Sequence, residues 1–312
     1  MFTDAFRNDA AAKVTGKAKY TDDYKLPDML YAVPVQSKVA SAIIKTINYS
    51  KALNQKGVVA VYTAKDIPGN IKFGQIIKDC PTLVNRRIRS AGDVIALIVA
   101  ETREIALSAL PFVEVELEEI PGVYNPEEAM QETSPLVNPD FGSNICNYHK
   151  VRTGNIEQGE KEAELIIEQE FRTSRVEHCY LEPETALCYL RPDGVMEVLG
   201  SMQHPFSTRR FVASTLGCKL SAVEVKNIPM GGGFGGKEDT AALVCARAAL
   251  CAYLTRKPVK LTYSREMSMR ESYKRHPYKL QYRMGLKQNG KIVFMKVRVV
   301  ADGGAYCSVT PW

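Results

Sequence analysis

The octapeptide Gly231-Gly232-Gly233-Phe234-Gly235-Gly236-Lys237-Glu238 constrains this chain more than any other segment. Five of its first six residues are glycine. Glycine enters positive φ freely and lets another group come close to the main chain. A strand-like run, Ala222-Val223-Glu224-Val225-Lys226, precedes the loop, and a long apolar stretch follows it. Strand, glycine loop and helix N-terminus together form a nest of N–H groups suited to an anion. A plain strand-to-helix turn needs one or two glycines, so the loop is expected to hold something negatively charged.

Two phosphate-loop patterns fit the letters but not the chemistry. Residues 231 to 237 satisfy G-x-x-x-x-G-K, yet a nucleotide-binding loop then needs Ser or Thr for Mg²⁺. Glu238 stands there instead, and a carboxylate repels a triphosphate. Gly231, Gly233 and Gly236 also fit G-x-G-x-x-G. The ribose-binding acid due about 20 residues later is missing, because Arg256 and Lys257 fill that region. The preceding strand alternates Val with Glu and Lys, whereas a buried parallel strand is nearly all apolar. A dinucleotide-binding enzyme is therefore the weaker reading.

The length of 312 residues suggests about two domains. The net charge of +6 is scattered; its densest run, Asn85-Arg86-Arg87-Ile88-Arg89, reads as a solvated or interface face rather than a nucleic-acid stripe. None of the eight cysteines forms C-x-x-C, which supports neither zinc nor an iron–sulfur cluster within this chain. Cys245 and Cys251 lie in the apolar stretch and read as small packed hydrophobes. The sequence shows no signal peptide, twin-Arg stretch or 18-residue apolar run. A cytoplasmic protein with reduced thiols is expected, with neither nucleic acid nor membrane as partner.

Along the chain, residues 1–125 read as one α+β domain. Strands are expected at Leu30-Pro34, Val58-Tyr62, Val94-Val99 and Val113-Leu117, with a helix at Thr102-Leu110. Prolines at 121, 126, 135 and 139 mark residues 126–147 as a linker. The second domain covers 148–312. Its expected strands are Glu162-Phe171, a hairpin of Thr185-Leu190 and Val195-Leu199 about Arg191-Pro192-Asp193-Gly194, and a hairpin about Asn289-Gly290. Helices are expected at Pro205-Leu216 and Thr240-Leu254. The second is apolar on nearly every face and must be buried on most sides.

Met230 to Glu238 resembles the pterin-contacting loop of the molybdenum hydroxylases, the xanthine dehydrogenase and aldehyde oxidase family. Ser201-Met202-Gln203-His204-Pro205 is similar to the family's Ser-x-Gln segment, and Gln203 precedes Phe234 by 31 positions, as that family has it. Val176-Glu177-His178-Cys179-Tyr180-Leu181-Glu182-Pro183 resembles its Glu-His-x-x-x-Glu-Pro stretch. Arg275-His276-Pro277 before a hairpin is a fourth match. Ala12 to Asp23 is similar to the start of bacterial molybdenum-binding subunits. The resemblance covers nearly the whole chain. It implies a mixed α/β (α+β) fold: an α/β hammerhead domain followed by the first, incomplete part of a molybdenum-cofactor-binding domain.

The resemblance also assigns residues. Gln203, Gly233, Phe234 and Gly235 match cofactor-binding positions, with Gln203 beside the metal's oxo group rather than ligating the metal. Glu238 and Phe234 match substrate-binding positions; an acid at 238 leans toward a purine or related N-heterocycle. Lys237 is expected to serve a structural pairing. Glu177, His178 and Glu182 are too few for a metal site and read as an internal hydrogen-bond network. The expected reaction is hydroxylation of a carbon next to a ring nitrogen, with water as oxygen source. The molybdenum–pterin cofactor is shared with a chain carrying the C-terminal half of the molybdenum domain. Iron–sulfur clusters and FAD sit on partner subunits. Family large subunits run on for several hundred residues, and that part holds the base glutamate, so no catalytic residue is expected here. A split subunit, as in the nicotinate dehydrogenase type, and a truncated non-catalytic remnant or assembly partner both accommodate the ending at Trp312. Either way the isolated chain is expected to be inert.

Overall fold

A computed structural model describes residues 7–308 and residue 310. In chain order the longer strands are β1 (Leu30–Gln36), β2 (Ala42–Asn48), β3 (Val58–Thr63), β4 (Val94–Ala100), β5 (Glu114–Glu119), β6 (Leu165–Arg172), β7 (Thr185–Leu190), β8 (Met196–Gly200), β9 (Val223–Asn227), β10 (Val259–Thr262), β11 (Tyr278–Leu286) and β12 (Ile292–Ala301). The helices that bear on the site and its supports are α1 (Arg103–Ala109), α2 (Pro126–Ala129), α3 (Ile156–Glu162), α4 (Pro205–Leu216), α5 (Asp239–Thr255) and α6 (Arg265–Glu271). The described residues fall into two compact units, those up to Ile120 with His178–Tyr273, and Pro121–Glu177 with those from Lys274 onward. Each unit draws on two separated stretches of chain, a grouping in space distinct from the successive domains expected along the sequence.

The first unit is built on a seven-stranded sheet in the order β9-β8-β7-β10-β1-β4-β3. Strands β8 and β9 run parallel, as do β1 and β10, while the other neighbours are antiparallel. Strand β4 (Val-Ile-Ala-Leu-Ile-Val-Ala) is buried at every position, as a central strand covered on both faces must be. Strand β9 alternates because it lies at the sheet edge, with only Val223 fully buried. Strand β2, which residue patterning does not predict, pairs with β5 in a smaller sheet, and Arg87–Ile88 pairs with its other side. The basic run is thus partly structural: Ile88 is buried, and the Arg89 N–H bonds to Asp93.

Helix α5 is the buried pillar of this unit. Fourteen of its residues, Asp239 to Ala252, are buried. Ala242 to Ala252 include five alanines, which bring the backbone close to its neighbours without side-chain entropy loss. Cys245 and Cys251 pack there as small apolar groups, and burial pushes the Cys245 thiol up to about 12. Arg247, the one long charged residue on α5, is buried and fully engaged. Its guanidinium donates to the Thr82 carbonyl at 2.8 Å and to the Tyr263 hydroxyl at 2.6 Å, and lies 2.6 Å from a Glu271 oxygen. Helix α4 has Pro205 in its first turn and Gly217 at φ 64° beyond its end, the pattern that starts and stops a helix cleanly.

The second unit is a three-stranded antiparallel sheet, β12-β11-β6. Of the strand expected over Glu162–Phe171, Glu162 instead ends helix α3, and strand β6 begins at Leu165. One face carries Lys279, Arg283, Lys296 and Arg298, paired with Glu127 of α2 and with Glu160 and Glu168. Gly159 of α3 approaches the same face so closely that a Cβ would lie 2.5 Å from the Val293 carbonyl. The other face carries Leu165, Ile167, Phe171, Met295, Val297 and Val299 in register, all exposed. Both expected hairpin turns form, and each places Gly, not the residue before it, in the left-handed region (Gly194 φ 83°, Gly290 φ 81°). The Gly N–H donates back three residues in each, to Arg191 and to Lys287.

Candidate functional site

Four segments of the first unit meet at one end of its sheet, and topology is the reason. Strands β8 and β9 run parallel, so the chain leaves both at the same end, at Gly200 and at Asn227. Antiparallel β7 begins beside the end of β8, with Ala186 opposite Gly200, and beside the end of β10, with Thr185 opposite Thr262. The segments are therefore 178–184, 201–204, 228–238 and 263–265. Helices α4 and α5 start from two of them, bringing two positive helix ends to this side.

The Ser-x-Gln segment and the glycine loop are directly bonded. The Gln203 N–H donates to the Lys237 carbonyl at 2.9 Å. Ser201 and Met202 are buried, whereas Gln203 projects as an exposed side chain. Within the loop, Gly232 (φ 105°) and Gly235 (φ 89°) take conformations that favour glycine, and Phe234 joins them at φ 49°. The Phe234 ring is 79% exposed in this chain and so is not a core anchor of the turn. Gly231 and Gly236 answer a second need, close packing. A Cβ on Gly236 would sit 2.5 Å from the Tyr180 ring and 2.9 Å from His178; one on Gly231 would sit 2.7 Å from Glu182 Cβ.

Beneath the loop lies a buried polar layer. Lys237 Nζ is 2.7 Å from Glu182 Oε2 and 3.0 Å from Ser201 Oγ, the structural pairing expected from sequence. Burial holds the Lys237 ammonium below the ordinary lysine range, with the bond to Glu182 opposing. The Tyr180 hydroxyl donates to Glu184, and Arg265 donates to the Tyr180 carbonyl. Burial raises the Glu184 carboxyl above the usual carboxylate range. Glu177 pairs with Lys274 at 2.5 Å within the second unit. Among the described residues no His, Cys, Asp and Glu group has the makings of a metal site.

The expected site residues thus divide by depth. Gln203, Phe234 and Gly235 are exposed at the rim, Gly233 is buried in the loop and Glu238 is half-buried. Glu238 occupies the N-cap of α5, but its carboxyl makes no capping bond. Among the described residues nothing accepts from the N–H groups of Gly232, Gly233, Phe234 and Gly235. That set of unpaired donors beside an exposed amide fits an anionic cofactor. Sequence reasoning missed Tyr180, Glu184 and Arg265, whose roles depend on contacts across strands; the only sequence signal was several polar residues clustered beside recognised motifs.

Comparison with known proteins gives this geometry a family. The family model described as aldehyde oxidase and xanthine dehydrogenase, a/b hammerhead domain, matches residues 15–121. The one described as molybdopterin cofactor-binding domain matches residues 137–312. The chain is 37% identical over 303 residues to the nicotinate dehydrogenase large molybdopterin subunit of Eubacterium barkeri, covering 97% of this chain and 70% of that subunit. It is 33% identical over 318 residues to the xanthine dehydrogenase molybdenum-binding subunit of Escherichia coli O157:H7, covering 97% of this chain and 41% of that one. Among solved structures, the aldehyde oxidoreductase of Desulfovibrio gigas superposes with a TM-score of 0.86 at 28% identity, over 95% of this chain and 34% of that one. The chain spans only part of the length of these relatives. With both family models placed in order and the two matched loop segments bonded to each other, this chain belongs to the molybdenum hydroxylase family of xanthine dehydrogenases and aldehyde oxidases, as part of its molybdenum-binding large subunit.

Proposed function

We propose that this chain forms the cofactor-side, N-terminal part of the molybdenum-binding subunit of a hydroxylase acting on a purine or related N-heterocycle. The observation that carries the reading is the Gln203–Lys237 main-chain bond, which holds the Ser-x-Gln segment and the glycine loop side by side. The unpaired N–H groups of residues 232 to 235 and the exposed Gln203 amide would hold the molybdenum–pterin group. When bound, that group supplies the two-electron oxidising centre. The protein's contribution is to bind and orient it with preorganised dipoles, which is where most electrostatic catalysis resides. Phe234, projecting from the loop, shapes the substrate side. Glu238 offers a carboxyl group, free of capping duty, to a ring nitrogen or N–H of the heterocycle.

Two partners follow from the reading. The relatives carry polypeptide beyond the matched region, and to such polypeptide, in the same chain or in another, we assign the rest of the cofactor site. The exposed apolar face of the β12-β11-β6 sheet is the surface we assign to that polypeptide, since exposed apolar patches of this kind mark contacts. Iron–sulfur and FAD subunits carry the electrons onward. The chain on its own is inert in this account, because no general base has been assigned in it.

Purification of the native assembly tests the proposal. It should contain stoichiometric molybdenum and pterin, copurify with the complementary chains and hydroxylate hypoxanthine, with nicotinate as the comparison substrate. An assembly without pterin, or hydroxylation by the chain alone, would overturn it.

A further inference from the structure

Three donors from two segments, the glycine loop and the Ser201–Gln203 stretch, converge on one carboxylate oxygen. Glu182 Oε2 accepts from Lys237 Nζ at 2.7 Å, from the Gly231 N–H at 2.8 Å and from Ser201 Oγ at 3.0 Å. The Glu182 N–H adds a fourth link, donating to the Gly231 carbonyl at 3.2 Å. Both side chains of the ion pair are withdrawn from solvent, Lys237 at 1% exposure and Glu182 at 13%. One residue therefore grips the glycine loop at its first position and at Lys237, and grips the residue two before Gln203.

This grip matters because little else holds the loop. Sheet pairing ends at Asn227 and α5 begins at Asp239. Between them the other main-chain bonds are one from the Ile228 N–H to the Gly200 carbonyl where the segment leaves the sheet, a turn from the Gly236 N–H to the Gly233 carbonyl, and the Gln203–Lys237 bond. A glycine-rich segment has the largest conformational entropy to lose on ordering. If the loop were free, a ligand would have to supply that ordering itself, which weakens binding. Charge-assisted hydrogen bonds to a buried carboxylate are among the strongest a protein can use for the purpose.

Building on the cofactor reading above, we propose that Glu182 is a positioning residue: an internal anion that locks the glycine loop and the Ser201–Gln203 segment together before the pterin binds. It touches neither cofactor nor substrate. Its carboxylate takes the Gly231 N–H, the Lys237 ammonium and the Ser201 hydroxyl, while the N–H groups of residues 232 to 235 keep no acceptor among the described residues. The anion that the loop chemistry demands is thus present twice, once as the chain's own Glu182 beneath the loop and once as the ligand above it.

The test uses the chain in its native assembly, with Glu182→Gln, Glu182→Asp, Glu182→Gln/Lys237→Met and, as a core control, Val212→Ala in α4. Hydrogen exchange of residues 231 to 237 is measured beside that of β4, together with melting temperature and pterin per folded chain. Glu182→Gln should speed loop exchange by about tenfold or more while β4 stays protected, and pterin retention should fall. The double variant removes the stranded lysine charge, so its melting temperature should recover while loop exchange stays fast. Val212→Ala should lower the melting temperature without selective loop exchange. Glu182→Asp keeps the charge and should fall between wild type and Glu182→Gln, which preserves the test if the latter fails to fold. Unchanged loop exchange in Glu182→Gln, or equal loop exchange in Val212→Ala, overturns the inference. A wild-type assembly free of pterin would refute the cofactor reading, while the exchange result would still decide the role of Glu182.

Discussion

The N–H of Gln203 donates to the carbonyl of Lys237 at 2.9 Å, so two loops 34 positions apart in sequence (237 − 203) share one hydrogen bond at the rim of the site. The bond uses only main-chain atoms. The Gln203 side chain stays exposed and available, while Ser201 and Met202 anchor the segment below.

That division of labour gives the first prediction. Gln203→Ala should fold as wild type, within about 0.5 kcal/mol, since exposed positions rarely cost more. In the molybdenum-loaded assembly it should lose up to about 3–4 kcal/mol of transition-state stabilisation, the usual cost of one electrostatic donor. Paired melting and turnover measurements check it; unchanged turnover would remove Gln203 from the site.

Gly236→Ala should destabilise the chain although the residue lies in a loop. The new methyl would meet the Tyr180 ring at 2.5 Å and the His178 ring at 2.9 Å. Both rings belong to the packed layer under the loop, so relief requires backbone movement. Overpacking of this kind costs about 1–3 kcal/mol. Denaturant unfolding should show it, and Gly290→Ala, whose Cβ meets nothing within 4 Å but takes φ 81°, should report backbone strain alone.

Arg247→Met should cost about 3–5 kcal/mol, because it strands the Glu271 carboxylate against a buried layer. Arg247→Met combined with Glu271→Gln should recover part of that loss, since the second change removes the uncompensated charge. A double-mutant cycle by chemical unfolding measures the coupling.

His276 gives a pH dependence with a definite sign. Burial holds its imidazole below the ordinary value of 6.5, with Asp302 opposing. The unfolded chain therefore binds the proton more readily than the folded one, and stability rises with pH across the window between the two values. Its contribution is complete above about 6.5 and is lost as pH falls toward the folded value. Melting temperatures from pH 5 to 7.5 should show this slope in wild type and less of it in His276→Asn.

Val297→Lys and Val299→Lys place charges on the exposed apolar face of the second unit. Both positions are about half exposed, so the chain's own stability should change by no more than about 0.5 kcal/mol. Recovery of the complete assembly should fall sharply, as followed by copurification of the complementary polypeptide. Normal assembly would free this face of the role assigned to it.

The sequence by itself determined the elements whose signals are local. Helix α4 runs from Pro205 to Leu216, as its leading proline and trailing Gly217 require. Strand β7 and the two hairpin turns appear where their turn residues place them. The buried character of α5 was legible in its run of apolar residues, and the two site loops were legible as motifs. Strand β2 and helix α3 were not. Their patterns are short and weak, and they are fixed by pairing with β5 and by packing against β12.

Only the tertiary structure decided which partner each polar residue has. Glu182, Ser201 and Lys237 stand 19 and 36 positions apart (201 − 182 and 237 − 201), and nothing local says that they meet. They meet because parallel β8 and β9 release the chain at the same end of the sheet, beside the start of β7. Sequence could say that the glycine loop wants an anion, because that follows from main-chain N–H groups and glycine conformations alone. That one such anion is the protein's own carboxylate depends on strand order, which local residue preferences do not encode.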